Sequence, residues 1–425
     1  MAKTHRPLNN IYPWIVWTIA ASFFFYKYLI QVSPSVMTNE LMAAFHINGA
    51  GLGNLSAFYF YAYLVMQIPV GMMLDKFSPR LLTTAAILLC SASTYIFSQT
   101  DLLWLACTSR ALMGMGAAFA AVSCFKLAVL WFPAKRFALV SGMFMTAAMM
   151  GAVGGQMPLS LLVGQTGWRG ALQIVALIGF SLSIFYFLII RDKTKQRNSE
   201  QQVQEKTGQF LRTILFNKQT WLLSLYSGLA FAPVSVFGGL WGVPFLERSY
   251  GFSSTDAAFA VSCIFIGFAI GAPFWGWLSD YMGKRKPILF FATLSALICL
   301  IVVIYCPQLS MTPVIILLLL FGFEASGFFT SFAMIRELFP VMLAATVMGV
   351  MNTFDSICEA LFEPLVGALL DSSGSNQIAH ASQPVFSLQA YHQALLILPV
   401  SLFFALITLF FIKETHCKAI EEKSR

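Results

Sequence analysis

With 425 residues, 58% of them hydrophobic and only 10% charged, and a mean hydropathy of +0.75, the chain is excluded from the soluble domains, in which charged residues run at about 25%. Its net charge of +8 is gathered in short loops between apolar runs, which excludes the basic stripe of a nucleic-acid surface. No HExxH, GxSxG, Walker or Rossmann pattern stands in a credible context, so an enzyme is not expected, and neither is a cofactor.

A membrane-spanning helix needs about 20 mostly apolar residues, and twelve such windows follow one another. The first, residues 12–38, holds Lys27 near its middle, with Gln31 one turn later and Tyr26 and Tyr28 beside it. The second, 49–73, carries Tyr59, Tyr63 and Gln67, and runs into the loop "GMMLDKFSPR", residues 71–80. After the third, 80–98, the fourth, 102–131, bears two cations, Arg110 and Lys126. The fifth and sixth, 135–162 and 168–190, end at the one long hydrophilic connection, residues 191–218. The seventh, 219–247, contains Trp241, and the eighth, 254–279, runs into "GWLSDYMGKR", residues 276–285. The ninth is 285–306, and the tenth, 311–335, centres on Glu324. The eleventh, 343–370, contains "NTFDSICEALFE", which sets Asn352, Asp355, Glu359 and Glu363 within three turns; the twelfth is 388–412.

The loop cations fix an orientation. With the N-terminus inside, Lys3, Arg6, Lys76, Arg80, Lys135, Arg136, the 191–218 cluster, Lys284, Arg285, Lys286, Arg336 and the tail from Lys413 face the cytoplasm, while outer loops keep only Arg169 and Arg248. That asymmetry predicts both termini cytoplasmic. The first span is too long for a signal-peptide core and no cleavage site follows it, so it is expected to be retained. The 8 cysteines lack any CxxC and the histidines are not clustered (His5 and His380 fall in a terminus and a loop), which points to packing rather than disulfides or metal.

The two loops share one pattern, Gly-x-x-x-Asp-x-x-x-x-Arg, 205 positions apart. This resembles the signature loop of the major facilitator superfamily, and "RALMGMGAA" from Arg110 resembles that family's fourth-span pattern. The resemblance implies an all-α membrane protein of twelve transmembrane helices in two six-helix bundles, residues 1–190 and 219–425, joined by a cytoplasmic linker at 191–218. It implies that Gly71, Asp75, Arg80, Gly276, Asp280 and Arg285 form a conformational gate. In that reading the glycines let helices approach, and the aspartates meet a helix N-terminus or a basic partner across the seam between the bundles. "GAVGGQMPL" lacks the Gly-Pro pair of drug/proton antiporters, which weakens multidrug export. "YKYLIQVSPSVM" and "FKLAVLWFPAKRFALVSG" resemble the phagosomal nutrient transporters of intracellular bacteria, which implies amino acid or nucleoside uptake.

Charge inside a bilayer costs at least about 2.5–3.5 kcal/mol, so each such residue is a functional candidate. Cations fall in the first half and acids in the second. Together they predict a cavity with complementary poles for a zwitterion. Lys27, Tyr26, Gln31, Tyr59, Arg110, Lys126, Trp241 and Asn352 are the expected substrate contacts. Glu324, first, then Asp355 and Glu359, are the expected proton-coupling acids. Lys27, Arg110, Glu324 or Asp355 serving only as structural partners, and Lys126 reaching to headgroups, remain the plain alternatives. The expected activity is proton-coupled uptake of an amino acid or similar small polar metabolite, by a monomer in a bacterial inner membrane with lipid as its surroundings. An organic-anion or phosphate-ester exchanger is the rival within transport, and a receptor built on a carrier scaffold is the rival outside it.

Overall fold

The computed structural model describes residues 11–133, 136–191, 214–339, 343–374 and 386–418. Lys3, His5, Arg6, Lys135, His380, most of the 191–218 connection and the last residues of the tail lie outside the described residues, as does the side chain of Asp75. Every regular element among the described residues is helical. The first half runs α1 Tyr12–Val32, α2 Thr38–Phe45, α3 Gly49–Lys76, α4 Pro79–Gln99, α5 Leu103–Trp131, α6 Phe137–Gly154 and α7 Met157–Ile189. The second runs α8 Lys218–Val236, α9 Gly242–Tyr250, α10 Ser254–Met282, α11 Lys286–Tyr305, α12 Met311–Ala325, α13 Thr330–Glu337, α14 Ala344–Gly374, α15 Leu388–Leu395 and α16 Ile397–Phe411.

Nine helical stretches among the described residues are long and apolar enough to cross a membrane. One of them, Leu139–Ile189, makes two passes, because Gly167 turns the chain with a φ of 72°, where a side chain would be strained. Adding α3 and α14, of 28 and 31 residues, accounts for the twelve windows of the sequence. Five windows expected to be continuous are broken, two of them briefly, the fifth at Gly155–Gln156 and the twelfth at Leu396. The first stops at Val32 and passes into a 3-10 turn, Ser33–Val36, with Pro34 at its start. The seventh loosens into a π turn at Phe237–Trp241, where Gly238 and Gly239 follow Pro233. The tenth tightens into a 3-10 turn at Ser326–Phe329.

The start of α1 and the end of α7 meet at one end of the molecule, where the Tyr12 hydroxyl donates to Ile189 O at 2.7 Å. The start of α8 and the end of α16 meet likewise, with Gln219 Nε2 donating to Phe411 O at 3.2 Å. We call this end proximal and the opposite end distal. Within the halves, α3 packs on α5 and α10 packs on α12 at equivalent places. Gly114 lies directly on Tyr59 O, and Gly322 on Ile264 O, with no room for a Cβ at either. The small residues of "RALMGMGAA" therefore serve helix packing. Gly71 and Gly276 do not: a Cβ at either would meet nothing within 4 Å, so the expected close approach is absent there.

Across the seam between halves, α3 packs along α14, and α6 and α7 pack against α10. Beside the Ser56–Glu363 and Tyr63–Asn352 pairs, three hydrogen bonds between described residues cross from one half to the other: Asp371 accepts two from the start of α3, and Gln156 donates one to Gly238. All three lie toward the distal end, which is shut.

Candidate functional site

Midway along the seam is a small, partly enclosed cavity of about 30 Å³, with room for about one water. It is lined from the first half by Lys27, Tyr28 and Gln31 of α1 and Tyr59, Phe60 and Tyr63 of α3. The second half contributes Phe231 of α8 and Asn352, Asp355, Ser356 and Glu359 of α14. A larger apolar hollow of about 840 Å³ opens sideways between α1, α6 and α7. It is lined mainly by apolar residues such as Phe25, Ile174 and Phe185 and holds no charge, and the hydroxyls of Thr18, Ser22 and Ser181 donate to carbonyls of their own helices.

Lys27, Asp355 and Glu359 are each 5% exposed. The Lys27 ammonium donates to Gln31 Oε1 at 2.5 Å, one turn along the same helix. It also lies 3.7 Å from the centre of the Tyr28 ring and 5.1 Å from that of Tyr63, where cation–π attraction replaces part of its hydration. Tyr63 in turn stacks on Tyr59 at 6.2 Å. Opposite, the Ser227 hydroxyl donates to Asp355 Oδ1 at 2.6 Å, and Ser235 is hydrogen-bonded to Glu359. Lys27 and Glu359 interact across the cavity as opposite charges. Asn352, Asp355, Ser356 and Glu359 share this face because they fall at steps of three and four along α14.

Several expected contacts stand elsewhere. Tyr26 turns away from the cavity, and its ring packs on Gly179 beside Ser91. One residue along a helix is about 100° of rotation, so Tyr28 takes the place expected for Tyr26. Arg110 is 1% exposed and lies behind the cavity wall. It donates to Ile30 O at 2.9 Å and to Gln31 O and Ser56 O at 3.4 Å each, which ties the end of α1 to α3. Lys126 donates to Leu74 O near the end of α3. Trp241 lies above the cavity, its Nε1 donating to Glu363 O at 3.2 Å. Glu324 is half-buried beside Cys299 of α11, outside the cavity lining, with Oε2 unpartnered.

The repeated loops also differ from expectation. Asp280 has a basic partner, but it is Arg285 of its own loop, at 2.7 Å, and not a residue across the seam. Arg285 bridges on to Glu337 at 2.7 Å, and Glu414 accepts from the N–H groups of Arg285 and Lys286 at 3.0 and 2.8 Å. In the first half, Arg80 Nε donates to Phe187 O at 2.7 Å. Ser227, Phe231, Phe60 and Ser356 were not singled out by sequence; their small or apolar side chains carry no signal, apart from Ser356, which lies a helical step from Glu359.

The Major Facilitator Superfamily model matches residues 16–243 and 223–424. The chain is 24% identical over 295 residues to the uncharacterized transporter YybO of Bacillus subtilis, covering 64% of this chain and 66% of the relative. It is 22% identical over 383 residues to the probable galactarate/D-glucarate transporter GarP of Escherichia coli K12, covering 81% and 85%. It is 25% identical over 374 residues to the lysosomal dipeptide transporter MFSD1 of Danio rerio, covering 82% and 79%. Among solved structures, a bacterial homolog to the human lysosomal transporter Spinster, inward-facing and occupied, superposes with a TM-score of 0.80 at 16% identity, over 95% of this chain and 97% of that one. The fold, the two family matches that together span both halves, and the polar cavity on the seam agree: this chain belongs to the Major Facilitator Superfamily, and it is a transporter.

Proposed function

We propose that the carrier takes up a small zwitterion, an amino acid or short peptide, coupled to protons. The observation that carries this is one ammonium and two carboxylates, Lys27, Asp355 and Glu359, around a single cavity on the seam. A substrate carboxylate would replace Gln31 at Lys27, and a substrate ammonium would take Asp355 or Glu359, exchanging water for charge-assisted hydrogen bonds. The two halves would rock about this site to open it alternately at each end. GarP is named for sugar acids and MFSD1 for dipeptides. Two carboxylates in the lining would repel a sugar diacid, and Arg110 and Lys126 are engaged outside the cavity, so a phosphate-ester or organic-anion reading has one cation left to use.

Glu359, rather than Glu324, is the favoured coupling acid, because it meets Lys27 in the cavity while Glu324 stands against α11. The positive-inside pattern supports cytoplasmic termini, so the proximal end is taken as the inner one and the Asp75 and Asp280 loops as its gate. Proteoliposomes with an imposed proton gradient test the reading. Labelled amino acids and dipeptides are expected to accumulate and galactarate is not. Glu359→Gln, fixed in the protonated form, should abolish accumulation while exchange of labelled for unlabelled substrate survives. Accumulation of galactarate alone would overturn the zwitterion, and uphill uptake by Glu359→Gln would overturn its coupling role.

A further inference from the structure

Along one ridge of α14 lie Asp355, Glu359, Glu363, Gly367 and Asp371, each four residues beyond the last, so that the row turns about 40° around the helix at each step. That spacing stacks them in a row about 24 Å long, at 1.5 Å rise per residue. The first two line the cavity. From Glu363 onward the row runs up the closed distal seam against α3. A Cβ on Gly53 would come 2.7 Å from Pro364 Cα, and one on Gly49 would come 2.9 Å from Gly367 O. Backbone thus meets backbone, and the last residue of the row reaches across.

Asp371 Oδ1 accepts from the Gly49 N–H at 2.9 Å, and Oδ2 from the Ala50 N–H at 2.7 Å. These open the first turn of α3, where N–H groups have no partner inside the helix and the helix dipole places about half a positive charge. A local cap is present as well: Asn48 Oδ1 accepts from Gly51 N–H at 2.9 Å. The difference between the two caps is mechanical. Asn48 travels with α3 in any rigid-body movement, whereas Asp371 belongs to the other half and must let go when the halves part. Pro364 lies between the cavity acids and Asp371.

We infer that Asp371 is the latch of the distal gate, a positioning residue for the transport cycle that holds the seam shut by capping a helix of the opposite half. Opening the distal end requires both bonds to break, and the row on α14 ties the latch to the helix that carries the cavity acids.

Hydrogen exchange of the full-length protein in nanodiscs, read by mass spectrometry, tests this. The second distal crossing, Gln156 Nε2 to Gly238 O at 2.7 Å, joins different elements and serves as the reporter. In Asp371→Ala, exchange should rise about tenfold both at residues 49–57 and at residues 238–241, since a gate that opens as a rigid body frees both places. Asn48→Ala should speed only the start of α3. Asp371→Asn keeps the shape and one acceptor oxygen, so it should fall between wild type and Asp371→Ala, and it carries the test if the alanine variant does not fold. Wild-type exchange at 238–241 in both Asp371 variants would make Asp371 a mere helix cap and overturn the inference. Equal acceleration there by Asn48→Ala would overturn it too.

Discussion

Arg110 and Glu363 are equally buried, each 1% exposed, and they interact across the seam, yet they find different kinds of partner. Arg110 donates to three backbone carbonyls through its two terminal nitrogens and leaves only Nε unpartnered, whereas Glu363 pairs with the Ser56 side chain alone and its Oε2 has no partner. The difference follows from what a helix has to spare. A carbonyl has two lone pairs and the helix uses one, so a buried cation finds acceptors along any helix. An N–H has a single hydrogen and the helix uses it, so a buried anion finds donors only on side chains or at helix N-termini. Lys126 follows the first rule at Leu74 O. Asp371 and Glu414 follow the second, at the starts of α3 and α11. Asp355 has Ser227. The acids of the second half thus keep acceptor capacity that the cations of the first half have largely used.

Lys27 is the exception among the cations, and it gives the largest expected effect. Its ammonium rests on an amide oxygen and two ring faces rather than on backbone. Lys27→Ala should leave the helices folded and lower substrate affinity by thirtyfold or more, since truncating one member of a buried charge pair costs about 2–5 kcal/mol. Ligand-induced stabilisation and uptake in proteoliposomes measure it, and normal binding by the variant would make Lys27 structural. Arg110→Met should do the reverse. It removes charge-assisted bonds worth about 1.5–3 kcal/mol each, so the melting temperature should fall by several degrees while affinity stays near wild type. An affinity loss matching that of Lys27→Ala would mean that Arg110 also meets the substrate.

The same contrast explains what was legible in the sequence. The halves, the spans and the four-residue spacing of Asp355, Glu359 and Glu363 depend on side-chain type and order, and these could be read. Which way a residue faces could not. α1 is apolar nearly all round, so the polar face that orients a helix in water is missing, and Tyr26 and Tyr28 look alike beside Lys27. The clamp at Arg110 was hidden because backbone acceptors leave no mark in a sequence. Asp371 lies one residue past the expected end of its span, where no intramembrane charge was sought. Its partners, the N–H groups of Gly49 and Ala50, are likewise invisible to side-chain reasoning.

Glu414 sharpens the rule in a setting outside the membrane spans. Burial pushes its carboxyl up, but hydrogen bonds from the N–H groups of Arg285, Lys286, His416 and Thr415 outweigh this and hold it below the usual carboxylate range. A carboxyl lowered in the folded state stabilises above its unfolded value of about 4.3, and the contribution fades as pH falls through the lower folded value. Glu414→Gln should therefore lower the melting temperature slightly at pH 7, by under about 1 kcal/mol of stability because the group is largely solvated. The gap between variant and wild type should close in strong acid; a gap that persists there would mean the bonds do not depend on charge.

Glu324 offers the sharpest way to break the comparison, although its expected effect is the smallest. Like Glu363 it keeps an unpartnered oxygen, Oε2, but it faces Cys299 on α11 and lines no part of the cavity. If acceptor capacity alone made an acid functional, Glu324 would couple protons as well as Glu359. If coupling also needs a place on the seam, where substrate and Lys27 can act on the same carboxylate, Glu324 has no such role. Glu324→Gln should then accumulate substrate against its gradient as wild type does. It should melt no lower than wild type, because the exchange removes an acid whose charged form costs about 2.5–3.5 kcal/mol inside a bilayer. Uphill uptake and labelled exchange, measured on one proteoliposome preparation, distinguish the cases. Lost accumulation with intact exchange would make Glu324 the coupling acid, displace Glu359, and move proton binding out of the seam into the body of the second half.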